Sequence, residues 1–219
     1  MTREPSSSPR DLPMSAGMWG RVTAEARRWV GPIGFWAWAA LVLLAGASLT
    51  AAHSYGLPKP PASALEATVQ LLREPGDTGW LVIHVLYGKC PCSQRIRTHL
   101  IDRKRTPDAA ETVLIIDGDE SMAAPLRDAG FAVRTLTAAE LRDRYHIEAA
   151  PLLVVASPSG ELRYRGGYTA RPSSTEVHDV EIIRDARSAS PPESLPLFGC
   201  AVSRELQRAL DPLGIKYAP

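Results

Sequence analysis

The sequence predicts an α/β sandwich built on a mixed β-sheet, preceded by one membrane-spanning helix. Three observations predict this. From about residue 62 onward, strand-like apolar runs alternate with amphipathic helical segments, and the alternation closes in a hairpin. From Trp29 to Ala52, a run of 24 positions, no charged residue occurs, and about 20 apolar residues suffice to cross a bilayer. Between these parts lies a proline-rich spacer, HSYGLPKPP, at 53–61.

The expected organisation is therefore a disordered cytoplasmic tail at 1–28, rich in serine, proline and charge. A transmembrane anchor follows at 29–52, a linker at 53–61, one α/β domain at 62–187 and a C-terminal extension at 188–219. Trp29, Trp36 and Trp38 lie toward the first end of the apolar run, where interfacial aromatics belong. Arg21, Arg27 and Arg28 precede it, and only Lys59 follows before Glu66. The positive-inside rule then keeps the N-terminus in the cytoplasm and exports the rest, to the periplasm or its equivalent. The apolar run exceeds the ~7–15 residues of a signal-peptide core, which favours an uncleaved anchor. Ala47 to Ala52 nevertheless offers small residues to a peptidase, so a cleaved signal remains the rival reading, and a buried core helix a third. A formal net charge of +1 gives no reason to invoke nucleic acid.

The elements of the exported domain follow in order. Leu65, Val69 and Leu72 have helical spacing over Ala62–Glu74, and Pro75-Gly76-Asp77 ends that helix. Trp80–Tyr87, WLVIHVLY, is apolar on both faces, as in a strand covered on both sides. After Cys90-Pro91-Cys92-Ser93 a helix is expected to about residue 104, with Ile96, Leu100 and Ile101 on one face. Thr112–Ile116 reads as a buried strand, Ser121–Ala129 as a helix closed by Gly130, and Phe131–Leu136 as a strand. Ala138–Tyr145 reads as a helix and Pro151–Ala156 as a strand. The turn SPSG leads to a hairpin partner at Glu161–Arg165. Helices at about 173–187 and 201–210 end the chain.

Three cysteines, at 90, 92 and 200, are too few and too odd in number for a disulfide framework. Cys90 stands at a strand–helix junction. As an N-cap its sulfur faces free backbone N–H groups, Pro91 suits the first helical position, and Lys89 adds a nearby cation, all of which favour a thiolate. Cys92 is two residues on, so its side chain points about 200° away on a regular helix. A Cys90–Cys92 bridge thus needs Cys90 outside the helix, and some strain would make it labile and oxidising. Cys200, before the last helix, is expected at a helix N-terminus. It is either a small buried residue or a resolving thiol. His84, alone on an apolar strand, is either a satisfied core residue, a proton acceptor for the cysteines or a metal ligand. Asp117-Gly118-Asp119-Glu120 lacks the closing glutamate of a calcium loop. No glycine-rich phosphate loop and no nucleophile elbow occurs.

In order and spacing these residues resemble the thioredoxin-like superfamily. A buried strand runs into a cysteine motif at a helix start. About sixty residues later comes Tyr145-His146-Ile147-Glu148-Ala149-Ala150-Pro151, similar to the family's cis-proline segment. Ser159-Gly160-Glu161 and Arg165-Gly166-Gly167 match its hairpin turn and glycine-bearing strand end. The extra helix and strand at 121–136 resemble the membrane-anchored TlpA/ResA-like branch. The resemblance covers roughly residues 65–187 and implies a three-layer sandwich with Pro151 cis and facing the active cysteine. It departs from the family where Ser93 occupies the resolving-cysteine position and Lys89 the usual tryptophan, while His84 lies near the family's buried acid.

The leading expectation is an anchored thiol–disulfide oxidoreductase acting on cysteines of exported proteins, with a redox-active disulfide and no other cofactor. Cys90 would carry the mixed disulfide, Cys92 or Cys200 would resolve it, Pro151 would shape the groove and His84 would handle the proton. The alternatives are a Cu(I)-binding module using Cys90, Cys92 and Cys200, soft donors suited to that ion, and a redox-inactive scaffold of the same fold.

Overall fold

The computed structural model describes residues 32–47 and 56–217, apart from 104, 107, 108, 173, 213 and 215. Two compact units divide the chain between Thr50 and Ala51. In the first, residues 32–47 form helix α1, with Phe35, Trp36, Trp38, Leu43 and Leu44 exposed. At about 1.5 Å per residue α1 falls short of the ~30 Å hydrocarbon core of a bilayer. Among the described residues no helix is long and apolar enough to cross a membrane. The expected anchor extends past both ends of α1, onto positions outside the described residues, and so does the expected tail at 1–28.

The second unit runs α2 (Ala62–Leu72), β1 (Trp80–Tyr87), α3 (Pro91–Asp102), β2 (Ala109–Ile116), α4 (Glu120–Asp128), β3 (Ala132–Leu136), α5 (Ala138–Tyr145), β4 (Ala149–Ala150), β5 (Leu152–Ala156), β6 (Leu162–Gly166), α6 (Asp179–Ala186), β7 (Cys200–Ala201) and α7 (Arg204–Leu210). The main sheet has the order β3-β2-β1-β5-β6. β1 pairs in parallel with β2, and β2 with β3, while β5 is antiparallel to both β1 and β6. This mixed α/β architecture fits the thioredoxin-like fold expected from the sequence.

The period of two along the central strands builds the layers. Leu81, Ile83, Val85 and Tyr87 of β1, with Leu152 and Val154 of β5, join Leu65, Val69, Leu141 and Tyr145 of α2 and α5 in one apolar cluster. Val82 and Leu86, with Leu153 and Val155, join Ile96, Leu100, Leu126 and Ile183 of α3, α4 and α6 in the other. Both faces of the sheet are thus covered, which is why β1 reads as a continuous apolar run rather than an alternating one.

Local chemistry sets the helix starts. Asp119 caps α4 by accepting from the Met122 N–H. Thr137 and Glu140 form a reciprocal capping box at α5. The expected helix at 173–187 is shorter, starting at Asp179. The expected helix at 201–210 also starts late. Ser203 is its N-cap, accepting from Leu206 N–H, and Cys200 lies ahead of it in a strand. The expectation that Cys200 occupies a helix N-terminus is therefore corrected. The backbone at Cys200 is drawn into pairing with Ala150 instead, a long-range partner that local spacing does not announce.

Candidate active site

The site begins at the end of β1. Gly88 N–H donates to Ile116 O at 2.8 Å, tying the turn to β2. A Cβ at Gly88 would stand 2.6 Å from Asp117 O, so only glycine lets the turn pass this closely. Cys90 follows in extended conformation (φ −103°, ψ 118°) as the N-cap of α3, with Pro91 in its first turn, as the sequence predicts. The cap's own Cys90 side chain makes no regular capping hydrogen bond. The Cys90 side chain is 0% exposed and belongs to the apolar cluster containing Ala149, Ala150, Leu197 and Val202.

The Ala150–Pro151 peptide is cis. β4, just before it, pairs antiparallel with β7, Ala150 opposite Cys200 and Ala149 opposite Ala201. The Cys90 sulfur lies 4.0 Å from Ala150 O. So Cys90, Cys92, Pro151 and Cys200 are brought to one place by four separate elements: the β1–α3 junction, the first turn of α3, the β4–β5 corner and β7.

All three cysteines are free thiols. Their titration is shared. Hydrogen bonding from the Cys200 thiol, and next from Cys92, pulls the Cys90 thiol well below its ordinary value. Burial opposes this, and the Ser93 N–H and hydroxyl reinforce it. The counterpart is that Cys92 and Cys200 are pushed up, each first by donating to Cys90 and then by burial. The three shifts point the same way, favouring ionisation at Cys90 over Cys92 and Cys200. Lys89 is exposed. The cations that bear on Cys92 are Arg95 and Lys216, from α3 and the C-terminal segment.

Ser93 is fully buried and its hydroxyl accepts from the Tyr87 N–H at 3.0 Å, closing the end of β1. Ser93→Ala strands that buried N–H. The expected cost is ~1–3 kcal/mol, to be read as a lower urea midpoint with unchanged slope.

His84 is not brought to the cysteines. It stands at an even position of β1, on the face opposite the cluster holding Cys90. Its Nδ1 meets the Tyr168 hydroxyl at 2.9 Å and its Nε2 meets Glu111 at 3.1 Å. Both ring nitrogens are thereby occupied in a buried polar network, so the core reading of His84 is the one its surroundings support. Glu111, Arg103, Asp179 and His99 complete that network, and single-sequence reasoning missed it. A glutamate inside the strand-like run AAETVLII was the available signal.

Among the described residues no group of three or more His, Cys, Asp or Glu side chains is arranged to hold a metal ion.

No family model and no curated protein matches the chain. Among solved structures it is similar to an uncharacterized conserved protein from Geobacillus kaustophilus, at 18% identity and a TM-score of 0.46, over 57% of this chain and 77% of that one. It is similar to the thioredoxin domain of a thiol-disulfide oxidoreductase from Bacteroides vulgatus, at 12% identity and a TM-score of 0.32, over 39% and 67%. It is also similar to a secreted Mycobacterium tuberculosis disulfide oxidoreductase, at 12% identity and a TM-score of 0.37, over 50% and 81%. At these identities and scores the functional reading rests on the site alone.

Proposed function

We propose that this chain is a thioredoxin-like thiol–disulfide oxidoreductase, held at the membrane by its N-terminal apolar run and acting on cysteines of exported proteins. The observation that carries the chemistry is geometric: Cys90 caps α3 with its sulfur 4.0 Å from Ala150 O, Cys200 pairs with Ala150, and Cys92 and Cys200 pack against the same apolar cluster. The pKa directions agree, favouring Cys90 as the thiolate. A thiolate is the nucleophile in disulfide exchange, and an adjacent protonated thiol is the group needed to resolve the mixed disulfide. The anchored, extracytoplasmic placement is supported by the arginines preceding the apolar run and by the extra elements α4 and β3, which resemble the anchored branch.

Cys90 is the attacking sulfur in this reading. Cys200 is the second thiol in this reading, because β7 sets it opposite Ala150, whose carbonyl lies 4.0 Å from the Cys90 sulfur. Cys92, in the first turn of α3, lines a small cleft with Arg95, Pro151 and Phe198. It is left as a bystander thiol.

Mild oxidation followed by alkylation and peptide mapping tests the reading. The expected product is a Cys90–Cys200 disulfide that mild reductant reopens. Three alkylatable thiols after oxidant would overturn it. The pH dependence follows from the direction of the Cys90 shift. An ordinary thiol loses reactivity about tenfold per pH unit below ~8.5. Cys90, held ionised to lower pH, should show a flat capture rate by a small disulfide from roughly pH 8 to pH 5. A tenfold fall per unit over that range would show an ordinary thiol.

A further inference from the structure

The sulfur that would meet a partner is shut in. Cys90 is 0% exposed, and the apolar cluster it belongs to includes Leu197 and Val202 of the C-terminal segment, exposed by 0% and 3%. A nucleophile for protein disulfides has to touch them, so part of this cover moves. The way the segment is fastened singles out which part. Upstream, Gly167 N–H donates to Leu195 O at 3.2 Å and Leu57 N–H to Leu197 O at 2.7 Å. Downstream, Ser203 caps α7. Between these points β7 meets β4 over two residue pairs, with Val202 N–H donating to Glu148 O at 2.7 Å. Its outer side is met by the Tyr217 hydroxyl, which accepts from Ala201 N–H at 2.9 Å.

The geometry of residues 197–203 is that of a bound peptide. At their centre Cys200 and Ala201 form a short strand added antiparallel to β4, with Cys200 opposite Ala150, whose carbonyl lies 4.0 Å from the Cys90 sulfur. Gly199 lets them lie there. A Cβ on it would stand 2.0 Å from Ala150 O and 2.5 Å from Pro151 Cδ.

We propose that residues 197–203 are a built-in stand-in for substrate: they fill the edge of β4 beside Cys90, and an extended cysteine-bearing segment of a partner protein takes their place there during exchange. This rests on the oxidoreductase reading above and adds its gate and its substrate class. The segment that fits carries glycine before its cysteine and a small residue after it, as Gly199 and Ala201 do. In the exchange, the Cys90 thiolate attacks the partner's disulfide. A Cys90–partner bond forms, the partner's S–S bond breaks, and its first sulfur leaves as a thiolate. When the strap returns, the Cys200 thiol gives its proton to that departed sulfur through solvent and attacks the Cys90 sulfur. The Cys90–Cys200 bond forms and the partner's second sulfur leaves as a thiolate. Two electrons pass from Cys90 and Cys200 to the partner.

The probe is the peptide PLFGCAVSR, this chain's residues 196–204, carrying an activated mixed disulfide on its cysteine, offered to the full chain. Gly199→Val drives the strap off the β4 edge and, read at about pH 9 where a thiol ionises without help from Cys200, should raise the rate of Cys90 capture tenfold or more over wild type. A second measurement works without that variant. In the C92S/C200S double variant, which cannot resolve the product, amide exchange at Val202 is read before and after the peptide is joined to Cys90. Protection should fall at least tenfold on joining. Capture at equal rates in wild type and Gly199→Val, or unchanged Val202 protection, overturns the strap and leaves the oxidoreductase reading standing. No capture of Cys90 by the peptide or by oxidised glutathione in any of these proteins overturns both.

Discussion

Cys90→Ser should abolish disulfide exchange, with turnover of a model protein disulfide falling on the order of 10³-fold or more. Serine is the smallest change that removes the sulfur, and the Ala150 carbonyl beside it can accept its hydroxyl, so the fold should persist. What disappears is the one thiol that its surroundings shift toward the ionised form. The two flanking thiols lose their bond to Cys90 in this variant, but burial still pushes both of them up. The two other single variants separate their roles. Cys200→Ser should still form a mixed disulfide at Cys90 yet release it slowly, accumulating a covalent adduct visible by mass. Cys92→Ser should turn over within a few-fold of wild type. If instead Cys92→Ser accumulates the adduct and Cys200→Ser does not, the second thiol is Cys92. Residual exchange above a tenth of wild type in Cys90→Ser would show that another sulfur attacks.

The largest expected effect on stability lies on the other side of the sheet. Glu111→Gln should cost about 3–5 kcal/mol, the usual result of breaking a buried ion pair from one side. For a domain of this size that is a drop in Tm on the order of 10 °C. Glu111 is 1% exposed at a position of β2 surrounded by apolar chains. Its carboxylate accepts from Arg103, from the Thr106 N–H at 2.6 Å and from His84 Nε2 at 3.1 Å. Arg103 also reaches Asp179 at 2.8 Å, and His99 reaches Asp179 at 2.7 Å. The network therefore joins β1, β2, α3 and α6. Burial alone would raise the Glu111 carboxyl, but the hydrogen bonds from His84 and Arg103 outweigh it and hold it well below the usual range. A carboxyl depressed in the folded state stabilises the fold above its unfolded pKa of ~4.3, and that stability is lost as pH falls toward the folded value. Glu111→Gln should thus flatten the acid limb of the stability curve as well as lower its plateau. Urea midpoints of wild type and variant across the acid range would check both, and parallel acid limbs would contradict the assignment.

Much of the fold was legible because its signals are local. The run WLVIHVLY is apolar at every position but one, which only a strand covered on both faces requires, and β1 has the predicted bounds, Trp80–Tyr87. Thr137 and Glu140 start α5 through contacts three residues apart, so its bounds, Ala138–Tyr145, were equally readable. Cys90 as an N-cap and Pro91 as the first helical residue are consequences of proline's missing N–H and fixed φ. These properties belong to short stretches of chain and do not depend on what packs against them.

What only the tertiary structure decided depends on which distant residues meet. Residues 200–203 have the local look of a helix start, yet Cys200 pairs as a strand with Ala150, fifty residues earlier, and the helix waits for Ser203. His84 was a candidate beside the cysteines by its distance along the chain. Strand alternation sends it to the opposite face, and a partner on β2, Glu111, claims it there. By itself the sequence determined the place of Cys90 at the N-cap of α3, the junction that carries it and the sheet beneath it. The second sulfur, the strand that shields the first, and the buried charges across the sheet were decided only when remote segments came together, because contact between them is a property of the packed fold and leaves no periodic trace in either segment alone.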